Sequence, residues 1–335
     1  MGPIEGWYVT FRGSHLAVKG LLHPEGRVVA VLAWRREPVG FRRARGLFET
    51  YAFLKEQGER YLLFDDQAGQ VLPVVPLAEV ESFIEPQGLE RLKERSDLDA
   101  RVLRLVEALS DHGVDARLTG SMLLGLHTEL SDADLVVYSA KQRDAAVEAL
   151  KAMRAERKVE LREDQLVRDI TSRRADSLMT PEEWLAHERR KVLMGSFEGM
   201  PFSVKAVHLP EEHWEKRGSS RWRSMGEVAL VCEVVDDEYS KDTPNMYRVR
   251  PLDPLWGREE GMEVEWVESV RSRFAEQAVA GETVLVVGRL EVDLRSWRYR
   301  VFLSGERTHL MASREALGGM WSGIVERVRA LASSG

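Results

Sequence analysis

Cysteine is nearly absent. Cys232 is the only one in 335 residues, which excludes an internal disulfide and a thiolate metal cluster. Asparagine is as scarce, with Asn245 alone, and only 10 of the 48 basic residues are lysine against 38 arginine. Little Asn and Cys with many ion-pairing residues is the composition expected of a heat-adapted, thermophilic protein; arginine-rich codon usage gives the same pattern. No long hydrophobic run is present: the longest, residues 28–34, falls far short of the ~20 residues a membrane-spanning helix needs. Bases are outnumbered by 55 acids, leaving a net charge of −7. That balance argues against a protein that coats nucleic acid through bulk positive charge and leaves a local basic groove as the form such binding would take. The first six residues, Met1-Gly2-Pro3-Ile4-Glu5-Gly6, have neither the basic nor the apolar stretch of a secretion signal. Position 6 also lacks the Ser or Thr of a myristoylation signal. What is there, 44% hydrophobic and 31% charged residues, points to a soluble, cytoplasmic globular protein of two or three domains.

The patterning predicts an α+β multidomain chain. Residues 1–87 read as a small α+β module, with β-like runs at 7–11, 15–22, 27–34 and 61–64 and a helix at 47–57. Between them, residues 34–45 hold five arginines and one glutamate; a solvated loop and a phosphate-contacting patch are the two readings. Residues 88–210 read as a second domain. Apolar residues recur every three or four positions from 88 to 112. A β-like run at 114–119, a short apolar helix at 122–127, a strand at 132–138 and an amphipathic helix at 141–157 follow. Then come a β-like run at 158–161, a long basic helical stretch to 193 opened by Thr180-Pro181-Glu182-Glu183, and a strand at 202–207. A polar linker is expected at 215–224. Residues 220–312 carry five β-like runs, 227–235, 247–251, 263–267, 283–290 and 299–303, with a short helix expected at 270–279. Five strands with a helix between the third and fourth resemble an OB-like β-barrel. Residues 313–335 close the chain with a helix from 320 to 331.

One constellation carries chemistry. Leu118-Thr119-Gly120-Ser121 is followed, ten residues later, by Asp132-Ala133-Asp134-Leu135-Val136-Val137. Residues i and i+2 of a strand project from one face, so Asp132 and Asp134 place two carboxylates side by side, an arrangement that is unfavourable unless a cation lies between them. Hard oxygens in that array suit Mg²⁺ (or Mn²⁺), which fills its remaining positions with water and substrate phosphates. Gly120 lets backbone approach a phosphate closely, and Ser121 adds a hydroxyl at the start of a short helix. Together these are the parts of a metal-dependent nucleotidyl-transfer site acting on a nucleoside triphosphate. His127 reads as a helix-end or packing histidine, Glu188-Arg189-Arg190-Lys191 as a solvated helix face, and Cys232 as a core residue.

Gly-Ser, a spacer of about ten residues and an apolar-bounded Asp-x-Asp resemble the nucleotidyltransferase fold of the DNA polymerase beta superfamily. More narrowly, Gly125-Leu126-His127-Thr128, Gly195-Ser196-Phe197-Glu198-Gly199 and the C-terminal β module resemble an archaeal group of predicted nucleotidyltransferases. The resemblance implies that Asp132 and Asp134 hold the metal and that Gly120 and Ser121 hold the β/γ phosphates. It also implies a third carboxylate on a later strand. The strand at 202–207, Phe-Ser-Val-Lys-Ala-Val, has none; Glu160 is a possible substitute and Asp169 a weaker one. Period-two alternation turns Phe202, Val204 and Ala206 to the core and Ser203 and Lys205 to the site, so Lys205 is expected to set a positive charge near the carboxylates, where it pairs with phosphate or partly replaces a second metal.

Two functions follow. The first is transfer of a nucleoside monophosphate from a triphosphate to an acceptor, with RNA or DNA reaching the OB-like module through Tyr239, Tyr247, Trp297 and Tyr299. The alternative is a catalytically degenerate nucleotide- or nucleic-acid-binding protein, which the missing acid favours.

Overall fold

The computed structural model describes residues 2–88, 96–164, 166–167, 170, 178–303 and 308–332. In chain order its strands begin β1 (Tyr8–Phe11), β2 (Ser14–Val18), β3 (Arg27–Arg36), β4 (Phe41–Arg43), β5 (Leu62–Asp65), β6 (Gln70–Pro76) and β7 (Ser82–Ile84). In the middle of the chain lie β8 (Arg117–Leu118), β9 (Ala133–Tyr138), β10 (Val159–Glu160), β11 (Met194–Phe197) and β12 (Met200–Val207). The last group is β13 (Trp222–Asp236), β14 (Asn245–Trp256), β15 (Val264–Ser269), β16 (Thr283–Asp293), β17 (Tyr299–Leu303) and β18 (Leu310–Ser313). The helices are α1 (Leu47–Gln57), α2 (Asp97–Asp111), α3 (Gly120–Leu123), α4 (Ala140–Ala155), α5 (Pro181–Glu188), α6 (Arg314–Leu317) and α7 (Trp321–Ala332). The chain is α+β throughout. It divides into two compact units, Met1–Ala152 with Phe197–Ser220, and Met153–Ser196 with Arg221–Gly335. None of the described helices is long and apolar enough to cross a membrane.

In the first unit the N-terminal strands form a sheet ordered β5-β6-β3-β2-β1-β7, with β4 on β3. Alternate residues Val9, Phe11, Leu16, Val18, Val28, Ala30 and Leu32 bury one face against Phe53 and Leu54 of α1, the period-two pattern of a half-covered sheet. Residues 34–45 are not loop throughout. β3 runs on to Arg36 and turns back as β4, pairing Trp34 with Arg43, Arg35 with Arg42 and Arg36 with Phe41, and ion pairs from Arg42 to Glu37 and Glu49 neutralise part of the cluster.

The same unit holds a second small sheet in which β9 runs parallel to β12 and antiparallel to β8. The Ser96 hydroxyl caps α2 by accepting from Asp99 N at 3.1 Å, and Leu98, Val102, Leu105, Val106 and Leu109 bury its apolar stripe. Ile4 and Leu21 from the start of the chain pack with Val136 of β9 and Val207 of β12, so the first residues are built into this sheet. The expected linker at 215–224 is also tied down: Gln67 donates to Lys216 O at 2.9 Å, Gly218 N donates to Gln67 at 2.7 Å, and Arg217 pairs with Asp65. Its last residues, from Trp222, already belong to β13.

In the second unit β13 to β18 are ordered β13-β14-β15-β17-β16-β18, and β13 also pairs with β16 along its length. β15 and β17 run parallel; the other neighbours are antiparallel. The core holds Val228, Leu230, Cys232, Tyr247, Val267, Val286 and Leu303 with Ile324 and Val328 of α7. The helix expected at 270–279 is only a 3-10 turn, Ser272–Phe274. Glu188 and Lys191 do not lie on a solvated face: both are buried and paired at 2.7 Å, and Lys191 also donates to Arg273 O. Tyr247 is unavailable for stacking, being fully buried with its hydroxyl donating to Phe274 O at 2.6 Å. Part of the helical stretch expected before 193 lies outside the described residues, as do residues 89–95; α5 itself is closed by the Thr180/Glu183 capping box.

Candidate functional site

Asp132 immediately precedes β9 and is exposed; Asp134, two residues on, is partly covered. Gly120 explains how closely the two motif halves meet. Its φ is +65°, and a Cβ there would lie 2.2 Å from Asp134 Oδ2. Only glycine fits that approach and that conformation. The loop is pinned from both sides: Thr119 N donates to Asp134 O at 3.0 Å, and the Thr119 hydroxyl donates to Gly6 O at 2.7 Å. Ser121 follows, half-buried, in the single turn of α3, which begins two residues earlier and ends four earlier than the stretch expected at 122–127.

Strand β12 supplies the neighbouring wall. Its burial alternates, with Met200, Phe202, Val204 and Ala206 inside and Ser203 and Lys205 on the other face. Ser203 lies in register with Asp134 and donates its hydroxyl to Asp134 Oδ1 at 3.1 Å. Lys205 Nζ donates to Glu5 Oε1 at 2.8 Å, and Lys19 Nζ reaches the same oxygen at 3.0 Å. The Gly20 N–H takes the other oxygen at 2.9 Å. Burial acts to raise the Glu5 carboxyl, but the two lysines outweigh it and hold its pKa at about 2. Lys205 is correspondingly held above its ordinary value, burial being overcome by Glu5. Asp134 moves the opposite way. Burial first, then the charge of Asp132, raise its pKa against the pull of Lys205, Ser203 and Arg43.

Burial is the larger cause of that shift and the Asp132 charge the smaller; a divalent cation beside the two carboxylates would offset both. The donor set is small: among the described residues no group of three or more His, Cys, Asp or Glu side chains could hold a metal. A cation held by Asp132 and Asp134 would have to take its remaining ligands from water and phosphate, as suits Mg²⁺. Glu160 is exposed and belongs to β10 of the second unit, and Asp169 lies outside the described residues. His127 pairs with buried Asp99 of α2 at 3.1 Å, which makes it a packing histidine.

Sequence reasoning missed Glu5 and Tyr8. Glu5 carries no local signal, since an isolated acid near a chain start reads as solvated. Tyr8 opens β1, and its phenol is held at a pKa of about 12, mainly by burial, with Lys205, Asp134, Glu5 and Arg43 all near enough to act on it.

The candidate site is thus a parallel strand pair with Asp-x-Asp at one end and a glycine turn pressed against the second acid. The family model of the nucleotidyltransferase domain matches residues 92–194. In this segment the chain is similar to the nucleotidyltransferase domains of the DNA polymerase beta superfamily. Over 329 residues the chain is 25% identical to an uncharacterized protein of the archaeon Methanocaldococcus jannaschii, covering 90% of this chain and 95% of the other. No solved structure matches the chain.

Proposed function

We propose that the first unit binds a nucleoside triphosphate with Mg²⁺ or Mn²⁺ and transfers its nucleoside monophosphate to an acceptor hydroxyl. The acceptor hydroxyl loses its proton to solvent as its oxygen bonds to the α-phosphorus and the bond to pyrophosphate breaks. The observation that carries this reading is Gly120 pressed onto Asp134 beside Asp132. Asp132 and Asp134 would hold the cation, which when bound neutralises the phosphates and the leaving pyrophosphate. Gly120 and Ser121 border the same point with backbone and hydroxyl donors. Lys205, fixed by Glu5, adds a positive charge where a second ion would otherwise sit, so the reading is one divalent ion per site.

The acceptor is read as RNA or DNA carried by an OB-like second unit. The return of β13 to β16 and the parallel β15–β17 pair support that reading, as does Trp297, 68% exposed. A second reading, nucleotide binding without turnover, is favoured by one observation: Ser203 stands where a third carboxylate would face Asp134.

The test is calorimetric titration of ATP with Mn²⁺ into the full chain and into Asp132→Asn/Asp134→Asn. The double variant is expected to lose cation-dependent binding and to melt no lower than the wild type in metal-free buffer, because a repelling pair has been neutralised. Unchanged Mn²⁺ affinity would overturn the site. Incorporation of labelled nucleotide into RNA, protein or small-molecule acceptors then separates transfer from binding alone.

A further inference from the structure

The four arginines in the paired ends of β3 and β4 are not equivalent. Arg35 pairs with Glu56 at 2.9 Å, and Arg42 with both Glu37 and Glu49. Arg36 lies over the Phe41 ring, 5.0 Å from its centroid. Arg43 is exposed and makes no ion pair with any described carboxylate.

The strand register shows where Arg43 emerges. Residues directly opposite on neighbouring strands share a sheet face. Thr10 faces His15, His15 faces Trp34, and Trp34 faces Arg43. Tyr8, two residues before Thr10, is on that same face. It is the face turned away from the α1-covered core, because Val9, Phe11, Leu16 and Leu32 occupy the other side. Tyr8 in turn follows Glu5 and Gly6, which are fastened to the β9–β12 sheet and its glycine turn: the Tyr138 hydroxyl donates to Glu5 O at 3.1 Å and the Thr119 hydroxyl to Gly6 O at 2.7 Å. Arg43 therefore stands on a wall anchored beside Asp134. Its charge is felt by both Asp134 and Tyr8, yet it is bonded to neither.

We propose that Arg43, delivered by the N-terminal sheet and lying outside the matched 92–194 segment, grips the triphosphate of the nucleotide at the Asp132–Asp134 site. A guanidinium near a metal-binding carboxylate but unpaired with it leaves room for an anion between them. Its planar fork matches two oxygens of one phosphate. A metal-bridged triphosphate is that anion in the transfer reading, on which this inference rests. Phosphate of a bound single strand is the other source of the same chemistry.

The full chain is titrated with ATP, AMP and inorganic triphosphate, each with Mg²⁺, and with a short single-stranded RNA. The same series is run for Arg43→Gln, Arg43→Lys and Arg35→Gln, the last removing equal charge from the same hairpin. Arg43→Gln should weaken ATP and inorganic triphosphate roughly 10- to 100-fold and AMP less than about threefold. Arg43→Lys should fall between, keeping the charge and losing the fork. Arg35→Gln should match the wild type, and all variants should melt alike. Unchanged ATP affinity in Arg43→Gln, an equal loss in Arg35→Gln, or a loss confined to RNA would each overturn the assignment while leaving the Asp132–Asp134 reading standing. A wild type that binds no triphosphate with Mg²⁺ or Mn²⁺ would overturn both.

Discussion

Glu5 is 1% exposed and answers two cations, Lys19 and Lys205, that are themselves only 33% and 23% exposed. Taking away its charge leaves both ammonium groups without their partner, and unpaired buried charge is the costly case. Glu5→Gln is expected to destabilise the first unit by about 2–3 kcal/mol, the modest end for such a change because both lysines keep some contact with water. Urea unfolding measures it. The pH dependence has a definite sign. The Glu5 pKa falls from about 4.5 unfolded to about 2 folded, so its contribution is present above pH 4.5 and is lost as pH falls toward 2. The variant should lack that acid-side loss. Asp134 contributes oppositely: its folded pKa is raised, so stability is lost as pH rises from the ordinary carboxylate range to the folded value. Binding a divalent cation should cancel that penalty.

At the scale of elements, the register of β12 against β9 decides what a substitution can do. Ser203 faces Asp134 across a parallel pair, so Ser203→Asp adds an oxygen ligand to the existing pair. The variant should bind a second Mn²⁺ ion that the wild type does not, read by titration, and should melt lower than wild type only when metal-free. Had β12 been shifted by one residue, Val204 would stand there instead. This placement is legible in the sequence because strand alternation is local, and Phe202, Val204 and Ala206 mark the buried side unaided. β1 to β3, α1, α4 and the Asp132 strand are legible for the same reason, with Arg12-Gly13 supplying two positive φ values for the first hairpin. The 270–279 segment is not. Its apolar spacing suits a helix, but Gln277 N donates to the buried Tyr247 hydroxyl at 3.0 Å, a partner thirty residues away that no local pattern contains. Lys191 reads as solvated because its partners include Arg273 O, 82 residues further on. The candidate site follows the same division. The motif pair can be read, whereas Glu5, Tyr8 and the facing position of Arg43 depend on strands that meet only in the fold.

For the whole molecule, the first unit is assembled from residues 1–152 and 197–220, and the matched segment 92–194 accounts for only part of it. Residues 88–210 expressed alone should therefore bind no nucleotide and should expose apolar surface to a hydrophobic dye, since Val136, Tyr138 and Val207 lose Ile4, Trp7 and Leu21. The same residues in the full chain should bind ATP and remain dye-silent. A stable, nucleotide-binding 88–210 fragment would show that the N-terminal sheet is an accessory.

The Glu5–Lys205 pair joins residues 200 positions apart. Contacts of such separation form late, after the loop between them has paid its closure entropy. A nascent chain therefore cannot complete this corner of the site until residue 205 has emerged, long after the N-terminal sheet has formed its own core. On the proposed reading, nucleotide binding would be acquired at the end of folding, and an intermediate with an intact N-terminal sheet would carry Tyr8 and Arg43 on display before the Glu5–Lys205 corner has formed.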